Sequence, residues 1–571
     1  MNKESPKTPP TASAAVTCAL MPCALIPYAL ITCALVSCAL MPLAGCRPPK
    51  AENMLYDFKT QPEMLREIQT LNLAPAAPAL QDRPPIDPNQ PAPPEIELTL
   101  ERCRALALEN NLDLKVQLIS PAIAAEKVSE EEARFEAALY SNLTYSKTDT
   151  PVTSFLDEIT GSNVDYGQAD LGVQVPLTTG GTVTFDLADS RTKTDSSWSI
   201  FNPSYGSDAS VSLSQPLLRN AGTRTNTYAI RIAAYNHRIS EAQTKLEVIR
   251  VIAAVDRLYW QLYAARRELE VRKKEYDLAK AQLEQARRFV SQGQRAQVEI
   301  TRAEAGVAQR LEAIILAENT LRDTERDLKL SLNMPAIDMQ TPTVLVPGTE
   351  PNPIRYELKN DALVKTATES RMEMLELELQ IAQDISTVDY MKNQALPLVT
   401  LDYRYNVSGL GGTRSDSYDL LNEKRFEDHQ FGLQLLVPLG NQAAESRLKQ
   451  AFYQRRQRLA TRESRAASIE LEVLNAIDQL EANWQRVLAG RQRTILDGRL
   501  YEAEKRQYEI GTRTTTDVLQ AQTTFADAQS TEIRALAEYQ IALVDLAYAT
   551  GTILGAAKVR WEPIIPQTGN D

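Results

Sequence analysis

The stretch "YEIGTRTTTDVLQAQTTFADAQ", Tyr508 to Gln529, has a counterpart far upstream, "VSQGQRAQVEITRAEAGVAQRL", Val290 to Leu311. Sliding the chain until Val290 lies over Tyr508 also sets Gly293 over Gly511, Arg295 over Arg513, Glu299 over Asp517, Ala303 over Ala521 and Asn333 over Gly551, with no gap. Asn and Gly are the residues that best end a helix in the left-handed conformation, so both copies are expected to stop at the same point. The front halves correspond at an offset about 40 residues larger: "ALALENNLDLKVQ" from Ala105 is similar to "ALVKTATESRMEMLELELQ" from Ala362, and Leu143 to Tyr145 lies over Leu401 to Tyr403. The chain is an internal duplication, each copy reading helix, strands, very long helix, turn, helix.

The helices around the two turns are unusually long. No proline occurs from Leu217 to Met334 or from Leu439 to Glu562. Allowing for breaks at Gly293 and Gly511, each ascending helix has room for about 70 residues, about 105 Å at 1.5 Å per residue. Apolar residues recur at three- and four-residue steps in Val248, Ile252, Val255, Leu258 and Leu262, and again in Leu471, Leu474, Ile477 and Leu480. With charges on the other faces, this is a coiled-coil-like pattern.

Between the helices the period changes to two. In "LVTLDYRYNVS" the residues Val399, Leu401, Tyr403, Tyr405 and Val407 are apolar and the intervening ones polar. "HQFGLQLLVPL", "ADLGVQVPL", "TVTFDLA" and "SVSLSQP" behave alike. Strands of about ten residues that alternate in this way fit a barrel with one face to lipid and one to water. A soluble sheet with one buried face alternates in the same way.

The amino end reads as a processing signal. Between Lys7 and Arg47 no residue carries a formal charge, and the stretch holds the repeat "CALMPCALIPYALITCALVSCALMP" before "LAGC", Leu43 to Cys46. A basic start, an apolar stretch and small residues before a cut are the parts of a secretory signal. The segment resembles a bacterial lipoprotein signal, which implies that Cys46 becomes the lipid-modified first residue. A permanent transmembrane helix is the alternative, weakened by Pro22, Pro27 and Pro42. The run from Ala74 to Pro94 is then dense in proline and reads as an extended tether. The expected organisation is a signal at 1–46, the tether at 47–95, a first repeat at 96–335, a connector at 336–355, a second repeat at 356–555 and a tail at 556–571.

Composition narrows the chemistry. A net charge of -12 argues against nucleic acid as a partner. All but one of the six cysteines fall at or before Cys46, leaving Cys103 alone in the body, and the chain has only His237 and His429. That inventory supports neither a paired-cysteine metal site nor a hydrolytic triad, and no Gly-rich Lys-Ser/Thr phosphate loop follows a strand. No cofactor, no metal and no catalysis are expected.

Three stretches carry a resemblance to the TolC family of bacterial outer-membrane efflux channels: "ALALENNLDL", "QPLLRNAGTRTNTYAIRIAAYN" (Gln215 to Asn236) and "IGTRTTTDVLQAQ". "VPLTTGG" and "VPLGNQAAESRLKQA" add weaker support, and the likeness spans about Glu97 to Leu554. The resemblance implies an α+β membrane protein: a homotrimer whose chains share one transmembrane β-barrel, continued into the periplasm by an antiparallel α-helical coiled-coil barrel. It also implies an adaptor protein and an inner-membrane transporter as partners, and a tip that closes the pore. Physics agrees on the need for several copies, because open sheet edges are not tolerated in hydrocarbon. A periplasmic or surface coiled-coil scaffold without a pore is the competing reading, separated by bilayer conductance.

Carried over by position, Tyr508 and Arg513 resemble the residues that tie down the inner helix pair, with Glu299 as their acidic partner. Asp517 resembles a pore-facing carboxylate, and Gly293, Arg295, Gly511 and Thr512 fall in the tip turns that meet the adaptor. Gln520 departs from the pattern, which has a second aspartate there, and so puts a two-ring acidic gate in question. A plainer reading is that Glu299 and Asp517 sit at helix N-termini, where the dipole favours acids, and that the glycines permit tight turns. A second departure is "GQADLGVQVPLTTGGTVTFDLADSRT", an additional hairpin at 168–191 turned at Gly180 and Gly181, where the family has two strands per copy. Either the barrel is larger or this hairpin sits outside it. Strand residues Asp186, Asp402, Arg404 and Gln434 are mixed in sign, so no substrate is readable.

Overall fold

In a computed structural model the described residues are 94–151, 161–335, 337 and 339–560. The signal, most of the tether and Cys46 lie outside them. The first repeat opens with β1 (Glu95–Leu98) and helices α1 (Leu100–Asn110) and α2 (Leu112–Glu132). Four strands follow, β2 (Ala138–Asp149), β3 (Asn163–Pro176), β4 (Thr182–Thr194) and β5 (Ser204–Pro216). A short α3 (Thr223–Asn226) leads into α4 (Tyr228–Ser291) and its return helix α5 (Val298–Leu332). After β6 (Val344–Pro347) the second repeat gives α6 (Asn360–Ser370), α7 (Met372–Gln394), β7 (Leu398–Gly411), α8 (Arg414–Asn422) and β8 (Glu427–Leu436). It ends in α9 (Gln442–Ile510), α10 (Thr515–Ala549) and the short α11 (Ile553–Ala556).

The long helices have the length the proline-free runs allow: α4 has 64 residues and α9 has 69, about 96 and about 104 Å at 1.5 Å per residue. Val248, Ile252, Val255 and Leu262 are buried as the periodicity of the first copy requires. In the second copy Ile477 and Leu480 are buried as expected and Leu474 is half-buried, and the stripe departs from expectation at its start. Ile469, Val473, Ile477 and Leu480 are buried, whereas Leu471 is 60% exposed. Leu488, Ile495 and Leu496 on α9 and Ile315 and Leu316 on α5 are exposed as well, so these helices carry more apolar surface than one chain can cover.

The two repeats are fastened part-way along the two long helices. One core cluster joins Leu98, Cys103, Leu106, Ile252, Tyr259, Trp260 and Leu345 to Leu328 and Leu332, with Ala537 and Val544 of α10 packed in. Within it β1 and β6 pair in parallel, from Glu95↔Val344 to Leu98↔Pro347, so the connector contributes a strand beside the first repeat. The second cluster packs Ala367, Met374, Ile469, Val473 and Leu480 against Tyr539 and Leu546. Arg104 grips the buried Asp256 through Nε and Nη2, each 2.7 Å from a carboxylate oxygen, a forked geometry that fixes α1 on α4.

All six long strands form one antiparallel sheet in the order β2-β3-β4-β5-β7-β8. The additional hairpin is β3 and β4, and it lies inside this sheet. Its turn is docked at the strand-to-helix junction, where Gly222 donates its N–H to the Thr179 carbonyl at 2.9 Å. Gly180 has φ +94°, and a Cβ there would stand 2.2 Å from the Asn220 carbonyl oxygen, so only glycine fits this approach.

Register puts the apolar residues on one face. The pairings Leu139↔Val173, Leu171↔Leu187, Phe185↔Val211, Val211↔Tyr405 and Tyr403↔Phe431 run across all six strands. The opposite face carries Asp186, Asp208, Asp402, Arg404, Asn406 and Gln434, linked by bonds such as Ser214 to Asp402 at 2.6 Å and Ser408 to Asp208 at 2.5 Å. Leu139, Leu143, Leu171, Phe185, Phe431 and Leu433 are all exposed. A face of that composition left bare on a folded chain marks a surface for lipid or partners. At the end remote from the long helices α8 lies on the same face, Ser417 meeting the buried Ser207 at 2.7 Å. None of the helices among the described residues is long and apolar enough to cross a membrane.

Candidate functional site

The two Gly-x-Arg stretches come together at the far ends of the helical hairpins. Each ascending helix stops in the same backbone motif. Gly293 (φ +73°) and Gly511 (φ +92°) take the left-handed position. Their N–H groups bond to Val290 and Tyr508, and the next residues, Gln294 and Thr512, bond back to Phe289 and Gln507. That paired pattern is a Schellman motif, which satisfies the last free carbonyls of each helix. The hairpins also end alike, at Asn333 (φ +39°) and Gly551 (φ +71°), as the sequence alignment of the two copies expects.

Beyond the turns the copies differ. Thr514 caps α10, its hydroxyl accepting from the Asp517 N–H while the Asp517 carboxylate accepts from the Thr514 N–H at 3.0 Å and hydroxyl at 2.9 Å. This reciprocal capping box holds the Asp517 carboxyl below the ordinary carboxylate range, first through the Thr514 N–H and then through its hydroxyl. In the first copy Ala296 stands where Thr514 stands in the second, and α5 starts with no side-chain cap. Gln520, one turn after Asp517, is exposed.

The link between the turns is made by Arg295. Its guanidinium lies 5.2 Å from the centroid of the Tyr508 ring and donates to the Arg513 carbonyl at 2.9 Å. Tyr508 is buried, with Phe289 of α4 at 5.9 Å between ring centroids and its hydroxyl 3.3 Å from Thr515. The structure thus brings Tyr508, Arg513 and Arg295 together. It does not bring Glu299 to them: Glu299 pairs with Arg302 of its own helix at 2.7 Å. Arg513 instead bonds Gln507 at 3.0 Å and pairs with Glu504 at 3.1 Å. The physical reason is reach, since a residue one turn along its own helix is within a side-chain length whatever the partner helix does.

A second link lies farther up the hairpins, through residues that were not among those singled out from sequence. Arg310 of α5, 4% exposed, pairs with the equally buried Glu275 of α4 at 3.3 Å and donates to the Leu519 carbonyl (3.1 Å) and the Thr523 hydroxyl (2.7 Å) of α10. Arg272 continues the chain to Glu275 (3.1 Å) and Asp527 (3.0 Å), and Gln522 donates to the Glu275 carbonyl at 2.8 Å. Burial pulls the Arg310 guanidinium below its usual range while Glu275 opposes the change. One sequence signal existed: Ala303, Gly306, Arg310 and Ile314 follow a three-four-four spacing, so a charge sits in a stripe otherwise made of small and apolar residues. Among the described residues no cluster of His, Cys, Asp and Glu could hold a metal ion.

An amphipathic sheet carried on two long helical hairpins, with the hairpin turns clasped to each other, is the protomer plan of a channel of the TolC type. The chain belongs to the family described as outer membrane efflux protein, whose pattern it matches over residues 162–334 and 363–552. It is 24% identical over 351 residues to the outer membrane protein TolC of Vibrio cholerae, covering 60% of this chain and 76% of that protein. To TolC of Salmonella enteritidis it is 27% identical over 201 residues, 34% of this chain and 40% of that one. In structure it is similar to the Campylobacter jejuni CmeC outer membrane channel, with TM-score 0.60 and 14% identity over 80% of this chain and 86% of that one. VceC of Vibrio cholerae gives TM-score 0.57 at 13% identity over 79% and 96%. These structural likenesses speak to the fold. With the TolC relatives, the family places the protein among channels of the outer membrane.

Proposed function

We propose that the protein is the outer-membrane duct of a tripartite efflux or type I secretion system: a passive homotrimer, coupled through a periplasmic adaptor to an inner-membrane transporter that supplies the energy, and gated at its periplasmic tip. The observation that carries the reading is the exposed apolar face running across all six strands, opposite a hydrogen-bonded polar face. In water such a face is a liability; in a bilayer it is the outer wall of a barrel. The exposed apolar residues on α5 and α9 support further helical contacts between copies. A lipid on Cys46 anchors each copy in the same proposal, and Gly293, Gly511 and Thr512 present the turns to the adaptor.

In the gate, Arg295 holds the two turns of each copy together through the Tyr508 ring and the Arg513 carbonyl, the Arg513 side chain braces its own turn through Glu504 and Gln507, and Asp517 with Gln520 lines the narrowed end. A cation over a ring contributes about 0.5–1 kcal/mol where water reaches it and about 2 kcal/mol where it does not, and an exposed ion pair under about 1 kcal/mol, so closure relies on the links repeated in three copies. The test is single-channel conductance in planar bilayers. Arg295→Ala with Arg513→Ala raises conductance. Tyr508→Phe alone keeps the ring under Arg295 and leaves it near wild type. Unchanged conductance in the double variant removes the gate from this proposal, and purified wild-type protein that never conducts favours the scaffold.

A further inference from the structure

The edges of the sheet show how many strands enter the channel wall. β2 and β8 each have a neighbour on one side only. Every residue of β2 is exposed, and nearly all of β8. Six strands are too few to close on themselves, since the smallest single-chain outer-membrane barrels have about eight, and in hydrocarbon every N–H and C=O of an edge strand needs a partner. Successive strands alternate in direction, so β2 leaves the helical base and β8 returns to it. An even count makes β8 of one copy antiparallel to β2 of the next when all copies stand side by side with their helices pointing the same way. That head-to-tail contact closes into a ring by rotation alone.

The β3–β4 hairpin cannot be set aside from this wall. β3 pairs with β2 from Ala138↔Gln174 to Asp149↔Asn163, and β4 pairs with β5 from Thr182↔Ser214 to Thr192↔Ser204. Removing it from the sheet would break both ladders and undock the Gly180 turn from Asn220. Leu171 of β3 and Phe185 of β4 fall in the same exposed apolar belt as Leu139 of β2, Val211 of β5 and Phe431 of β8. Apolar side chains stand on that face at both edges, so a β8-to-β2 seam continues the belt unbroken.

We infer that three copies close a single barrel of eighteen strands, each copy's β8 pairing with the next copy's β2, where two strands per repeat would give a barrel of twelve. The count of three rests on the homotrimer proposed above; the six strands of each copy do not. Because barrel diameter grows roughly in proportion to strand number, the lumen is about half again as wide as that of a twelve-stranded barrel. The barrel end of the duct therefore admits solutes, such as bulky polymers, that a twelve-stranded wall excludes, whatever the tip then passes.

Electron cryomicroscopy of the full-length mature protein in lipid nanodiscs tests this directly. Three copies with eighteen strands in one wall is the expected result. Three copies with a twelve-stranded wall and β3–β4 outside it, or two copies sharing twelve strands, overturns the inference. A conducting trimer with twelve strands would leave the proposed duct standing, whereas particles with no ring of strands would end both. A variant in which residues 150–203 are replaced by a short Gly-Ser loop joins β2 to β5 directly. Added from the loop side in planar bilayers, neutral polymers should be excluded from it at about two-thirds of the wild-type diameter. Equal cut-offs count against the inference, and if the variant does not assemble, imaging of the wild-type protein decides.

Discussion

The two repeats share their helices and differ in what they build at either end. Each raises a very long helix, α4 in the first and α9 in the second, stops it with a left-handed glycine and returns with a helix about half as long. At the sheet, however, the first contributes four strands and the second two. At the turns the second has a capping box and the first offers Arg295. A rod is constrained along its whole length by its neighbours, because every heptad must face the same partners. A hairpin can be added to a sheet, or a cap exchanged at a turn, without disturbing that register. The duplication is therefore readable in the rods, and the specialisation lies at their ends.

The largest effect is expected where the repeats are joined in the interior. Arg310→Met leaves the buried Glu275 with Arg272 alone and takes the donor from the Leu519 carbonyl and the Thr523 hydroxyl, and should cost about 3 kcal/mol, whereas Arg310→Met combined with Glu275→Leu should cost less. Thermal unfolding of the purified protein, with amide exchange in α10 as the local readout, separates the two. Equal losses for the single and double variants would mean that packing rather than charge holds the repeats together. Next comes the hairpin peculiar to the first repeat. Gly180→Ala places a Cβ against the Asn220 carbonyl in a left-handed backbone and should cost about 2 kcal/mol, seen as earlier loss of sheet signal on heating in detergent. A neutral Gly180→Ala would mean that the turn is free to swing away from the junction.

The smallest effects sharpen the contrast between the turns. Thr514→Ala should destabilise the start of α10 by about 1 kcal/mol. Ala296→Ser, which gives α5 the Ser-x-x-Glu pattern with Glu299, should stabilise its start by a similar amount, about 1 kcal/mol. Amide exchange in the first turn of each helix measures both. The capping also carries a pH sign. Because Thr514 lowers the Asp517 carboxyl in the folded chain, its contribution is complete above the ordinary carboxylate range and is lost as pH falls through the lowered folded value. Exchange at the start of α10 should thus quicken only in strong acid, and Thr514→Ala should move the onset to higher pH.

Much of this was legible in sequence. The ungapped slide of one copy onto the other located both turns and both helix ends, and the left-handed glycines and Asn333 fall where it put them. Period-two alternation found the apolar face of the strands, and the polar residues Asp186, Asp402, Arg404 and Gln434 do share the other. The helix stripe was read correctly on α4 and at Ile477 and Leu480 of α9, but not at Leu471, which faces out. Over a helix of 69 residues, several stripes fit a three-four spacing equally well, and only the partner chooses among them.

What the sequence alone determined is local: where helices stop, because a left-handed residue is needed there, and which strand residues share a face, because alternation follows from the pleat. The tertiary structure decided the pairings across distance. Arg310 reaches Glu275 and Thr523, Arg295 rather than Glu299 meets Tyr508, and β3–β4 enters the sheet beside β2 and β5. The reason is geometric. A shift of one residue along a helix turns its side chains by about 100°, so the partner of a given charge depends on how rods of this length are rotated and raised against each other, which no run of neighbouring residues records.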